Sequence, residues 1–248
     1  MKYQIEAVSI VEKEEPVDIT LLKMTLTTRI EKDVMIFHIL GTKIYNKSFF
    51  IQYMNPFNAV REIRMVLDRN QRIQGVVNYK VVREKTEKYY TEMADKMKKA
   101  NKKDLEEIFL DMAYQSFQYE ENIIRELLRT SYFYPFIGGN YRNNESDNIS
   151  LEGFLPNYNI IEKLEKIFFR DKNSTYIRGG VDRSKVYAYS LSEQMKELGL
   201  EYKPEMLNLS SESRIYYKER EIDRVESYKQ GGIKGYYQKK EKIFIDRI

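Results

Sequence analysis

The 248-residue chain has no cysteine, no tryptophan and a single histidine. Without cysteine there is no disulfide and no thiolate nucleophile. One histidine and no cysteine come close to excluding a structural zinc site. That histidine, His38 in "MIFHIL", is flanked by Phe37 and Ile39 and reads as a packed or edge-facing strand residue. A serine triad would have to recruit it, and the chain has no GxSxG elbow. The G-x4-G-K-[ST] phosphate loop is also missing. The longest apolar run near the front, "VMIFHIL", falls far short of a membrane span. The opening residues lack the apolar core and small-residue cleavage site of a signal peptide. These absences lead to the expectation of a cytoplasmic protein with no membrane span, no metal and no cofactor.

What is present is tyrosine and charge. There are 21 Tyr and 12 Phe, and a 13% aromatic content is too rich for a disordered chain. Tyrosine pairs an apolar ring with a polar tip, which suits half-buried sheet faces and interfaces. The 42 basic and 38 acidic residues are interspersed and leave a formal charge of +4. Such mixing describes a solvated surface rather than a dedicated polyanion binder.

The early segments "KYQIEAVSIV", "LLKMTLTTRI" and "VMIFHILGTKIY" carry the β-branched and aromatic residues of strands. A turn is expected at "EKD", and Pro56 breaks the pattern at "NPFNA". Residues 62–79 read as a hairpin turning at Asp68–Gln71. From Lys80 to Thr130 there is no Gly or Pro. Val82, Tyr89, Met93 and Met97, then Leu105, Ile108, Met112 and Phe117, then Ile124 and Leu127 or Leu128 recur at helical spacing. Two long helices with a break near Asn101 are expected, the second capped by Asp104 with Glu107 three positions on. Residues 131–158 read as irregular and "IIEKLEKIFFR" as a short helix. "STYIRGGVDRSKVYAYSL" reads as a hairpin turning at Gly179–Gly180. "SLSEQMKELGL" is a helix capped by Ser190 or Ser192 and ended by Gly199. The C-terminal residues are strands again.

The fold class expected is α+β: a mainly antiparallel β-sheet of N- and C-terminal strands with an inserted long helical hairpin. It is taken as a single domain over 1–248, or two halves, 1–137 and 151–248, joined by an irregular loop.

Few constellations carry chemistry. The pairs in "FIGGNY", "IRGGVD" and "KQGGIKG" fit turns better than phosphate cradles, since none joins a buried strand to a helix start. Asp182 ahead of Glu201-Tyr202-Lys203 matches a carboxylate before E-x-K, as in metal-dependent nucleases. E-x-K is frequent in a chain this rich in Glu and Lys, so the match carries little.

Two binding readings remain. Tyr132, Tyr134, Phe136 and Tyr141, with Phe133 among them, are the candidate partner-binding residues, being Tyr/Phe-rich and at a helix exit. Against that, aromatics pack cores first. Lys229, Lys234, Tyr236, Tyr237, Lys239 and Lys240 form a basic, aromatic C-terminal hairpin of the kind that grips nucleic acid. Glu226, Glu241 and Asp246 dilute its charge. The leading expectation is a non-catalytic protein-binding protein of the immunity, adaptor or chaperone type, with another protein as partner. The alternative is a nucleic-acid-binding accessory protein using that hairpin.

Overall fold

The computed structural model describes all residues except 13–16, 116, 140–145, 152–153, 156–157, 198, 202 and 220. Among the described residues are eleven strands and six α-helices, a mixed α+β arrangement that is mostly antiparallel sheet. No helix among them is long and apolar enough to cross a membrane. The chain divides into two compact units. The first comprises Met1–Gln4, Leu22–Gly139 and Ile248; the second comprises Ile5–Leu21 and Asn140–Arg247.

The strands of the first unit are most of β2 (Asp18–Glu31), β3 (Val34–Tyr45), β4 (Glu62–Leu67) and β5 (Ile73–Val76), in the order β5-β4-β3-β2. Alternation builds them: Leu22, Met24, Leu26 and Thr28 of β2 are buried while Lys23 is exposed. The turn expected at Glu31–Asp33 joins β2 to β3, with Lys32 in the left-handed region at φ 57°. The turn at Asp68–Gln71 is also present, where Asp68 Oδ1 accepts from the backbone of Asn70 and Arg72 at 2.8 and 2.9 Å.

Four helices belong to this unit besides the single turn α5 (Tyr134–Ile137): α1 (Phe49–Tyr53), α2 (Tyr79–Lys99), α3 (Lys103–Gln115) and α4 (Glu120–Arg129). Val82, Thr86, Tyr90, Met93, Ala94 and Met97 form the buried stripe of α2. It packs against Phe109 and Ala113 of α3. The chain turns between α2 and α3 through Asn101, at φ 55°.

α3 begins at Lys103, so Asp104 lies in its first turn instead of capping it. The second helical run is not continuous. Phe117 has a left-handed φ of 57°, which a helix cannot carry, and α4 starts afresh at Glu120. Phe117 is buried against Phe57, their ring centroids 5.9 Å apart.

The second unit runs β11 (Tyr237–Arg247), β10 (Glu221–Ile233), β9 (Leu207–Lys218), β8 (Ser174–Val181), β7 (Ile160–Phe169) and β6 (Ser146–Leu151), every neighbouring pair antiparallel. The part of β1 (Lys2–Glu12) that belongs to this unit, from Ile5 on, lies beside β11. The helix α6 (Ala188–Glu197) buries Leu191 and Met195 in a cluster with Phe154, Tyr158, Leu207, Leu209 and Ile233.

Five expectations for this unit are corrected. Residues 160–169 are a strand, because the chain buries Ile160, Glu162, Leu164 and Lys166 with period two. Two of those four are charged, which hid the alternation. Gly179 and Gly180 lie inside β8, not at a turn. A Cβ at Gly179 would overlap Glu162 Oε1 and Ser211 Oγ and sit 2.7 Å from Leu164 Cδ2, so the glycine makes room for buried side chains. Gly231 and Gly232 likewise lie inside β10, which ends at Ile233, and the hairpin turns at Lys234–Tyr236. Within the stretch read as irregular, residues 146–151 are β6. Ser190 and Ser192 lie inside α6, whose start is set by Leu191 N–H donating to Tyr187 O at 3.0 Å. Gly199, at φ 71°, does end it: its N–H meets Lys196 O, and that of Leu200 meets Met195 O, both at 2.8 Å.

Candidate functional site

The aromatic stretch after α4 is core. Phe133 is fully buried, stacked on Phe37 with centroids 5.4 Å apart and edge-on to Phe57 at 5.0 Å. Phe136 packs edge-on against Tyr3 at 5.0 Å and Phe37 at 5.7 Å. Tyr134 and Phe136 are each 8% exposed, too little to anchor a partner in this conformation. Tyr141 lies outside the described residues. Tyr132 differs: it is half-buried, its hydroxyl accepts from Asn55 Nδ2 at 3.3 Å, and its ring edges a cleft.

The lysines of the C-terminal hairpin are mostly engaged with carboxylates. Lys229 is 9% exposed and its Nζ lies 2.8 Å from Glu162 Oε2. Lys239 pairs with Glu241 at 2.8 Å and sits 4.9 Å over the ring of Phe154; Lys240 pairs with Glu12 at 2.6 Å. Tyr237 is half-buried against the apolar cluster. Lys234 and Tyr236 are exposed at the tip.

The carboxylate pattern does not assemble. Asp182 starts a single helical turn, accepting from Ser184 N and Oγ, and that hydroxyl holds its pKa below the usual carboxylate range. Glu201 is exposed beside Lys203, and Tyr202 is outside the described residues. Among the described residues no group of three His, Cys, Asp or Glu is placed to hold a metal ion. His38 stands at a strand surface with Nδ1 3.2 Å from Glu62 Oε2.

A concave site lies elsewhere in the first unit. A cleft of about 670 Å³ opens between α3, α4 and the segment after α1. Ile51, Met54, Ile108, Met112 and Phe117 supply apolar wall. Periodicity assigned Ile108 and Met112 to the core. Met112 does pack, partly buried, against the cluster of Phe109 and Ala113 while also lining the cleft, whereas Ile108 is 41% exposed on the cleft. Asn55, Gln115 and Asn122 add neutral polar groups, and Asp111, Arg125, Glu126 and Arg129 the charges.

Local chemistry fixes this shape. Asn55 Oδ1 accepts from Phe57 N at 2.9 Å, and Pro56 follows as the first residue of a single helical turn. Tyr90, on α2, donates its hydroxyl to Met54 O at 2.6 Å and so ties the long helix to the far wall. Burial pushes the Tyr90 phenol well above its ordinary pKa, so it stays a neutral donor.

Arg125, Glu126 and Arg129 all line the cleft from α4. Glu126 pairs with Arg129, and Arg125 donates to Asn122 Oδ1 at 2.8 Å. Burial raises the Glu126 carboxyl above its usual range, and the two guanidinium groups oppose that rise. The cleft thus joins an apolar floor to a wall in which two arginines accompany one carboxyl whose pKa burial raises.

No family model and no curated protein matches this chain.

A second polar cluster lies in the second unit. Ser211 Oγ on β9 donates to Glu162 Oε1 on β7, across Gly179 of the intervening β8, while Lys229 Nζ on β10 holds Oε2. With Glu162 fully buried and Ser211 only 4% exposed, the cluster is closed, and it reads as internal support.

Sequence reasoning missed the cleft because its residues come from four separate stretches between 51 and 132. The one available signal was surplus. α3 has apolar residues at 105, 108, 109, 110, 112 and 113, more than one buried stripe uses.

Proposed function

We propose that this chain is a non-catalytic, cytoplasmic protein-binding protein, and that the cleft of the first unit receives part of its partner. In this reading α2 and α3 act as one inserted helical hairpin, and the α3 side of that hairpin is a wall of the site. The observation that supports it is the cleft itself. It is an open concavity with adaptable Met and Ile walls and arginines, the residue types that anchor interfaces. Its size lies within the ordinary range for recognition pockets, about 300–1,000 Å³.

The test is a paired capture from the native host, using the wild-type chain and Ile108→Arg. Ile108 is already part-exposed, so the substitution places a long charged side chain in the cleft without opening the core. A stoichiometric protein that resists nuclease and salt, and is lost from I108R, is the expected result. A partner held equally by both forms refutes the cleft as its site. The alternative, nucleic acid at the C-terminal hairpin, rests on exposed Lys234 and Tyr236. It predicts co-purifying nucleic acid whose binding weakens steeply with salt.

A further inference from the structure

We infer that the segment entering the cleft presents an apolar side chain next to a carboxylate. This rests on the protein-binding reading and adds the chemistry of the partner. A cleft of about 670 Å³ takes one or two side chains, not a whole helical face. Its apolar wall is Ile51 and Met54 on one side and Ile108 and Met112 on the other. Methionine is unbranched and polarizable, so this wall adjusts to aliphatic side chains of differing shape.

The charge is arranged unevenly. Arg125 and Arg129 are four residues apart, so they share a face of α4 one turn from each other. Between them is the single carboxyl of Glu126, paired with Arg129 and disfavoured as an anion by its burial. Arg125 is exposed, and its hydrogen bond goes to a neutral amide oxygen, Asn122 Oδ1. A guanidinium has five donors in a planar fork that matches a carboxylate, and an ionic acceptor makes a stronger bond than an amide. The α4 wall therefore favours an incoming carboxylate.

Asp111 stands exposed on the α3 wall and repels a carboxylate there. The two effects orient the occupant, with carboxylate toward Arg125 and apolar group toward Met54, Ile108 and Met112. Aspartate or glutamate beside leucine, isoleucine or methionine in a partner's chain has this chemistry.

The test uses the full chain carrying 13C-labelled methyls on methionine and isoleucine. Three capped tetrapeptides, Gly-Leu-Glu-Gly, Gly-Leu-Gln-Gly and Gly-Leu-Lys-Gly, are titrated alongside octanoate. The Glu peptide should shift the Met54, Met112, Ile51 and Ile108 methyls with a dissociation constant of roughly 1 mM, and the Gln and Lys peptides should bind at least about tenfold more weakly. Arg125→Gln, at an exposed site, should abolish that preference and leave distant methyls in place.

Equal shifts from all three peptides, or an unchanged preference in R125Q, would overturn the carboxylate requirement and leave the cleft as a partner site. Octanoate binding more tightly than the Glu peptide would overturn the peptide source in favour of a small carboxylic acid. No shift at these methyls with any probe would overturn the inference outright, while partner loss from I108R would still decide the protein-binding reading by itself.

Discussion

Lys229→Met tests how the second unit is held together. Methionine keeps most of the lysine's length and removes its charge. Glu162 has 0% and Lys229 11% side-chain exposure, so solvent has little access to either end of the pair. After the substitution Glu162 keeps one polar partner, the Ser211 hydroxyl. Removing one member of a buried ion pair typically costs about 3–5 kcal/mol, and the surviving hydroxyl places the expectation near the lower end, about 3 kcal/mol. A compensating double variant, Glu162→Met with K229M, removes the stranded charge and should recover much of the loss. It should still fall about 1–2 kcal/mol short of wild type, because Ser211 then keeps an unsatisfied buried hydroxyl. Urea unfolding reads the size of the effect. Hydrogen exchange should locate faster opening in β7, β9 and β10, the strands that carry Glu162, Ser211 and Lys229. A K229M protein within about 1 kcal/mol of wild type would refute the reasoning, as would a double variant no more stable than the single one.

Two further predictions use the same approach. Gly179→Ala forces a methyl group into Glu162 and Ser211 and should destabilise by about 2 kcal/mol or more, whereas Gly180→Ala, whose nearest neighbour is 3.6 Å away, should change stability by less than about 0.5 kcal/mol; similar unfolding midpoints for the two would refute the crowding argument. Glu126→Gln tests the cleft carboxyl through pH. Its folded-state pKa is raised, chiefly by burial, so its stabilising contribution is full below the unfolded pKa and is lost as pH rises through the folded one. Urea midpoints measured between pH 4 and pH 7 should therefore show wild type losing ground to E126Q as pH rises, and the opposite trend would mean that the Arg129 pairing outweighs burial.

Much of the strand content was legible because it obeys simple alternation. β2 and β4 bury every second residue, and their turns carry Asp68 or the short "EKD" break. α2 was legible for the same reason at helical spacing. The strand at 160–169 was not, since alternation is visible only when the inward residues are apolar, and here Glu162 and Lys166 point in. The glycine pairs misled in a related way. Gly179 looks like a turn residue until Glu162 and Ser211, 17 residues before and 32 after it, are seen to occupy the space a Cβ needs. Of the described candidate partner aromatics, Tyr132 alone edges the cleft; burial of Phe136 depends on Phe37 and Tyr3, which no local window contains.

The sequence by itself determined the element types wherever a period of two or 3.6 ran unbroken, and it excluded thiol chemistry by composition. Local periodicity encodes which face of an element is apolar. It does not encode which of two adjacent apolar stripes meets the core. Only the tertiary structure decided that Phe109 and Ala113 turn inward against α2 while Ile108 faces the cleft and Met112 touches both core and cleft. It likewise decided that Lys229 is an internal counter-ion and no surface cation, since its partner lies 67 residues away on another strand. Charges are fixed by sequence, but their availability depends on which opposite charge the fold brings within reach.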